Sequence, residues 1–391
     1  MPAYDVKMSQ ILRRYQKTGN HEKALEELET MERGGIPEKF RGDFYRAKGT
    51  LHFQRNEIPP ALACVRRALE EGNDLIQKRT LCSNYLMYLH YKSGVTEEEL
   101  RDAHFYYNEL FSDVVPFTHA RRNREKLRLG YLSSNLSDSI VVNFSVQLFA
   151  QYDRSRYEVI LYDTGEKKDE VTQWLRGMVN GWRDLCYTPP KSVLECKRRY
   201  TTHRPVVFGS FNNFYKITDE MLALWRKILD QVPGSRLLLK NTSPDKWLVK
   251  AMRKRVMALG FRPEQLDLRP GSWKYLEEYM DMDIALDTYP YPGGGTTCEA
   301  LYMGVPVVSR YGRRHGSRFG YSLLCNTGLE ELTAETEEAY VGKAVALAED
   351  EELLAALHRI LRDRFASSPV MDAKGYVGEV EAAYERIWED A

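Results

Sequence analysis

Thr296 and Thr297 stand directly behind three glycines, Gly293, Gly294 and Gly295, and are followed by Cys298 and Glu299. The glycines let the backbone approach a ligand closely. Two hydroxyls at the start of a helix, with its free N–H groups and positive dipole end, suit a phosphate. Glu299, one turn into that helix, can reach a ribose hydroxyl pair. A tight strand-to-helix turn that only needs glycine is the plain alternative for a lone Gly-Gly-Gly, and Thr-Thr followed by Cys-Glu argues against it. Lys216 closes a second such segment, Phe208–Lys216 (FGSFNNFYK). It is placed to set a point charge beside a diphosphate on the same sheet edge. Taken alone, Lys216 reads as a solvated lysine opening a helix. Pro270–Tyr275 forms a third loop on that edge. Its backbone could read a base edge and Tyr275 could stack on the base, or it is an ordinary loop with a packed aromatic.

These residues need a scaffold that brings strand ends together. In DIALDTYPYPGGGTTCEALYMGVPVVS (Asp283–Ser309), two short apolar runs, Ile284–Leu286 and Val305–Val308, flank a helical stretch closed by Gly304. That is a strand–helix–strand unit, whose natural product is a parallel sheet. From Val206 the alternation is regular. Strands are predicted at Val206–Ser210, Arg236–Lys240, Leu266–Arg269, Ile284–Asp287 and Val305–Ser309. Helices are predicted at Asp219–Gln231, Asp245–Leu259, Lys274–Met280, Thr297–Met303 and Ser317–Thr327, and three more close the chain. This is a complete doubly wound segment, 206–391, and ligands of such sheets bind at the carboxyl ends of the strands. A shorter α/β segment, 120–185, precedes it, with strands at Leu127–Ser133 and Tyr157–Asp163 and the start of a third at Trp182–Leu185. It reads as half of a lobe that must dock on something else. Residues 186–205, with Pro189-Pro190 and a basic cluster, read as a linker.

The N-terminal 119 residues carry a different period. Leu12, Tyr15, Gly19, Ala24 and Leu28 follow helix–turn–helix spacing, and Gly49, His52, Asn56, Ala61, Val65 and Ala68 repeat it. Ala24 and Ala61 lie 37 residues apart. That is close to the period of about 34 of tetratricopeptide repeats, with a small insertion. Small residues there let paired helices pack closely, and a third pair, Lys78–Lys92 with Thr96–Phe111, continues the stack. Such an array could hold a peptide in its groove or serve as a cap for the next lobe.

Composition narrows the classes. The 391 residues carry 56 basic and 56 acidic side chains. This gives no global electrostatic case for nucleic acid or an anionic membrane. No run approaches the roughly eighteen apolar residues of a membrane span. Six scattered cysteines without a CxxC fit reduced cytosolic thiols, so a cytoplasmic location is expected. Asp281-Met282-Asp283 resembles a metal-holding DxD but precedes its strand, at the wrong end of the sheet, and reads as a solvated turn. Arg313, Arg314, His315 and Arg318 read as a solvated loop that could meet an anion. No Ser/His/Asp constellation, HExxH or P-loop is present.

Taken together, FGSFNNFYKI, the ALDT…GGGTTCEALYMGVPVVS block and SRFGYSLL resemble the catalytic C-terminal lobe of the SPINDLY/O-linked N-acetylglucosamine transferase family. SNYLMYLHYKSGVTEEELRDAH followed by LRLGYLSSNLSDS resembles its junction between repeats and first lobe. The resemblance implies tetratricopeptide-like repeats followed by a GT-B fold of two Rossmann-like α/β lobes, with no metal and no cofactor beyond the UDP-sugar donor. By position, Lys216 would neutralise the diphosphate and act in catalysis, and Asn213 would stand where the family has a glutamine. Gly295, Thr296 and Thr297 would donate to phosphate oxygens, and Glu299 would hold the ribose. A protein serine or threonine hydroxyl, presented through the repeats, would displace UDP directly from a sugar expected to be N-acetylglucosamine. Three departures stand out. Gly294 and Tyr275 occupy positions where relatives carry histidines, Asp138–Asn143 lacks the family's histidine, and the stretch expected after Leu185 is missing before Cys186. The first lobe is therefore shortened on its acceptor side. That leaves two rivals: an impaired relative acting as a nucleotide-binding scaffold, and a transferase for a glycan or other non-protein acceptor.

Overall fold

The computed structural model describes residues 8, 10–12, 21–72, 75–114, 125–165, 167–184, 203, 205–272 and 275–390. Cys186, Cys196 and the junction between Leu185 and Cys186 lie outside these residues, as do Tyr15, Gly19 and Trp273-Lys274. The described chain divides into two units. One holds residues 1–116 and 198–362, and the other holds 117–197 and 363–391.

In the first unit the described residues of the N-terminal third form five α-helices of known bounds: α1 (His21–Arg33), α2 (Arg41–Gln54), α3 (Ile58–Glu71), α4 (Leu75–Tyr91) and α5 (Glu97–Glu109). Ala24, Ala61 and Ala68 are fully buried in one continuous apolar core, as the spacing of small residues requires. Thr96 caps α5 by accepting from the Glu99 amide. Asn56 turns the chain from α2 to α3 with φ of 61°, a conformation asparagine tolerates. Its side-chain amide donates to the Phe214 carbonyl at 3.0 Å. Phe53 stacks on Tyr215, and Ser93 donates to Glu220 at 2.7 Å. The short repeat array thus leans on the C-terminal lobe.

That lobe is a six-stranded parallel sheet: β4 (Val207–Ser210), β5 (Arg236–Lys240), β6 (Leu266–Arg269), β7 (Ile284–Leu286), β8 (Val307–Arg310) and β9 (Thr333–Ala334), in the order β6-β5-β4-β7-β8-β9. Its helices are α8 (Asp219–Gln231), α9 (Lys246–Ala258), α10 (Gly295–Tyr302), α11 (Phe319–Asn326), α12 (Glu337–Glu349) and α13 (Glu351–Ala366). The chain lays down β4, β5 and β6 in one direction, then returns to place β7 on the other flank of β4. The switch point is between β4 and β7, where the crevice for a ligand opens. Every residue of β4 and β7 is buried, as a parallel sheet covered on both faces demands. The helix predicted at Lys274–Met280 is a short 3-10 turn, Glu277–Asp281. β9 is an additional short strand.

The second unit holds β1 (Leu127–Ser133), α6 (Ile140–Ala150), β2 (Tyr157–Asp163), α7 (Glu170–Arg176) and β3 (Gly181–Asp184), with β1, β2 and β3 pairing in parallel in that order. The last helix, α14 (Ala373–Asp390), belongs here rather than with the 206–391 lobe to which the sequence assigned it. Tyr157 in β2 donates to Glu385 at 2.9 Å, and Tyr384 to Tyr131 at 3.2 Å. The reason is burial: a three-stranded sheet exposes more apolar surface than two local helices cover, and α14 supplies the rest.

Candidate functional site

At the switch point the carboxyl ends of β4 and β7 are joined by side chains. Asp287, 2% exposed, follows β7. Its Oδ1 accepts from the Thr288 amide at 2.8 Å, the Gly293 amide at 2.7 Å and the Asn212 side-chain amide at 3.3 Å. Its Oδ2 accepts from the Ser309 hydroxyl at 2.7 Å. One buried carboxylate therefore ties the ends of β4, β7 and β8 to the start of the glycine loop. Burial raises its pKa, and the bonds from Gly293, Ser309 and Thr288, with the nearby charge of Lys216, oppose that rise. Its carbonyl accepts from Tyr340 at 2.9 Å, and Tyr340 in turn accepts from Trp225 at 3.0 Å.

Lys216 ends a short 3-10 turn after β4, and its ammonium donates to the Pro292 carbonyl at 3.0 Å. It also lies 4.3 Å from the Tyr291 ring centre. The side chain is thereby pinned against the residue preceding Gly293. Burial holds its pKa below the usual lysine value, with Asp287 pulling the other way. A desolvated ammonium attracts an anion more strongly than a hydrated one.

Beside it, α10 begins at Gly295 with Gly294 as N-cap and no side-chain cap, so the first-turn N–H groups stay open to a ligand. Gly293 is a packing requirement: a Cβ there would stand 2.5 Å from Thr296 Oγ1 and 2.6 Å from Thr297 Oγ1. Gly294 faces open space. The Asn212 amide donates to Asp287, which turns its oxygen toward Thr296, and the Thr296 hydroxyl donates to it at 3.0 Å. Thr297 is buried.

Glu299 accepts from Tyr275 at 2.7 Å and from Tyr279 at 3.2 Å, and Tyr279 also donates to the Thr296 carbonyl at 3.1 Å. Burial raises the Glu299 pKa, and the two phenolic donors pull it down. Tyr275, 36% exposed, thus meets the carboxylate expected to hold a ribose. The Cys298 thiol, pushed up to about 11 by burial and by Glu299, stays protonated near neutral pH.

The structure brings Lys216, Tyr275, Gly294, Gly295, Thr296, Thr297 and Glu299 to one edge of the sheet. Asn213 is placed differently: its oxygen accepts from the Tyr215 amide at 3.1 Å and caps the turn. Its neighbour Asn212 reaches the loop. Sequence reasoning missed Asn212, Asp287, Ser309 and Gly320. A Cβ at Gly320 would meet Ser309 Oγ at 2.1 Å and Asp287 Oδ2 at 2.5 Å, so the glycine of SRFGYSLL keeps room for this network. Only the strand order makes these residues neighbours. Asp283, expected in a solvated turn, is instead fully buried at the opposite end of the sheet, where it accepts from the Val207 and His203 amides at 2.8 Å each. It satisfies the free donors of the chain entering β4. Arg313 and Arg314, read as part of a solvated loop, line a cleft of about 540 Å³ with Ser93, Val95 and Glu97 of the repeats.

Residues 186–380 match the family model described as glycosyl transferase family 41. The chain belongs to glycosyl transferase family 41. Similar proteins include the probable UDP-N-acetylglucosamine–peptide N-acetylglucosaminyltransferase SPINDLY of Solanum lycopersicum, 40% identical over 212 residues, covering 52% of this chain and 22% of that protein. The UDP-N-acetylglucosamine–peptide N-acetylglucosaminyltransferase of Caenorhabditis elegans is 30% identical over 194 residues, covering 47% of this chain and 16% of that one. The chain thus spans about a fifth of the length of the curated relatives it matches. A solved Thermobaculum terrenum O-GlcNAc transferase, in a single-substitution form, superposes with a TM-score of 0.69 at 23% identity, covering 100% of this chain and 99% of that one. The fold is accordingly helical repeats followed by a GT-B arrangement of α/β lobes.

Proposed function

We propose that this family 41 chain is a glycosyltransferase that binds a UDP-sugar, UDP-N-acetylglucosamine by the names of its relatives, and transfers the sugar to serine or threonine hydroxyls of proteins. The observation that carries the reading is the cradle: the half-buried ammonium of Lys216, pinned to Pro292, beside the uncapped start of α10 with Thr296 and Thr297. A nucleoside diphosphate leaving group develops negative charge as the sugar departs. A fixed cation and oriented N–H groups stabilise that charge without reorganising. In the displacement, the acceptor oxygen bonds to the anomeric carbon as the bond from that carbon to the phosphate oxygen breaks. UDP leaves with the electron pair, and the hydroxyl proton passes to water or to the departing phosphate oxygen. Protein groups neutralise the charge in this reading, with no metal assigned. Glu299, held by Tyr275 and Tyr279, is the hydrogen-bond acceptor suited to a ribose diol.

The repeats, docked on the donor lobe, are proposed to present the protein acceptor. Cytoplasmic placement belongs to the same reading: Cys64, Cys82, Cys298 and Cys325 are free thiols, and among the described residues no helix is long and apolar enough to cross a membrane. A second reading has a specific observation behind it. Among the described residues the second unit's sheet has three strands where the first unit's has six, which favours a nucleotide-binding scaffold with impaired turnover. Assaying UDP release from UDP-N-acetylglucosamine with and without a serine-rich peptide separates the two. Peptide-dependent release that is lost in Thr296→Ala supports the transferase. UDP binding with no release by the native chain supports the scaffold.

A further inference from the structure

A second cleft, of about 870 Å³, runs along α9 where the repeats meet the donor lobe, and the donor cradle uses none of its lining residues. Its volume lies within the range of ligand sites. Pro59, Pro60, Trp247 and Leu248 give it an apolar lining, and Lys250 and Lys254 stand on one side. The helix beneath reads KWLVKAMRKRVMA: five basic residues and no acid. Lys246, Lys250, Arg253 and Lys254 recur at helical spacing and are all exposed, so they form one stripe. Helix stability does not ask for this. A cation at Lys246, the first residue, faces the positive end of the helix dipole, where an acid would be favoured.

The acids that line the cleft are already matched. Glu57 bonds His52 at 2.6 Å and Arg55 at 2.8 Å, Asp219 pairs with Arg255, and Glu22 lies 3.8 Å from Lys254. Lys250, Lys246 and Arg253 have no ion pair among the described residues, and the surplus charge on this face is positive.

We infer that this cleft docks an acidic peptide segment, with aliphatic or aromatic side chains over Trp247 and the prolines and carboxylates along the Lys246–Lys254 stripe. The site is independent of the donor cradle and of the transferase reading. A peptide fits better than a nucleic acid. The chain is neutral overall, the cations without an ion pair among the described residues sit on a single helix, and proline, tryptophan and aliphatic residues share the lining with them, unlike a basic track for a phosphate backbone.

Fluorescence anisotropy with the full chain and a fluorescein-labelled peptide of alternating glutamate and leucine tests this. Saturable binding is expected that weakens with salt, as exposed charge pairs do. The Lys250→Glu, Lys254→Glu double variant should weaken it about tenfold or more, the equivalent of about 1.4 kcal/mol. Both positions are exposed, so the variant should fold, and unchanged UDP affinity would confirm that. A matched lysine–leucine peptide should not bind. Absence of binding, affinity unaltered in the double variant, or tighter binding of an oligothymidylate to the same residues would overturn the inference.

Discussion

The two α/β lobes use the same alternation of strand and helix, yet among the described residues one has six strands and the other three. In the donor lobe β4 and β7 are buried at every position. In the smaller lobe β1 alternates between half-buried and exposed, and Leu132 is 70% exposed. A parallel strand is stable when both faces are covered. The donor lobe meets that condition with its own helices and uses a buried carboxylate to lock its strand ends. The smaller lobe borrows α14 from the end of the chain. Buried polar groups thus fix the strand ends around Lys216 and the glycine loop, while the smaller lobe is tied to the last helix by side-chain bonds from its strands.

That contrast can be broken most severely at Asp287. Asp287→Ala removes the acceptor for three N–H groups and one hydroxyl, leaving buried donors unpaired, and should cost about 3 to 5 kcal/mol in urea unfolding. A cost below that of an ordinary surface substitution would show that the network is not what joins the strands. Gly320→Ala should come next, at about 1 to 3 kcal/mol, because the added methyl meets Ser309 and Asp287. Its nucleotide affinity should fall as well, since the displaced carboxylate positions the Gly293 amide. In the smaller lobe, Tyr157→Phe removes the bond to Glu385 and should cost about 1 kcal/mol. Hydrogen exchange should report that loss in β2 and α14 and leave β4 and β7 protected. Leu132→Ser should change stability by about 0.5 kcal/mol or less, being already in water. A large loss there would mean that this strand face is covered in solution.

Much of this was legible in the residues. The spacing of Ala24 and Ala61 announced close helix pairs, and both are fully buried. Strands β5 and β6 and helix α8 fall where apolar runs and caps place them. The glycine loop and Lys216 could be seen because each sits at a strand end within a short motif. Asn212, Asp287 and Ser309 could not be, because they meet only when β4, β7 and β8 lie side by side, 75 residues apart in one pairing and 22 in another. Local pattern likewise shows that α14 is amphipathic, but not which sheet it covers.

Isothermal titration with uridine diphosphate tests directly whether Lys216 and the start of α10 bind the diphosphate of a nucleotide donor. Burial places the Lys216 pKa below its ordinary value, and a bound diphosphate would raise it again. Binding on the alkaline side should therefore take up a proton and weaken as pH rises through the lowered pKa. Lys216→Ala should lose about tenfold or more in affinity together with that proton uptake, as removal of a desolvated cation from an anion site would. No heat with the native chain at millimolar nucleotide, or native affinity in Lys216→Ala, would contradict the account.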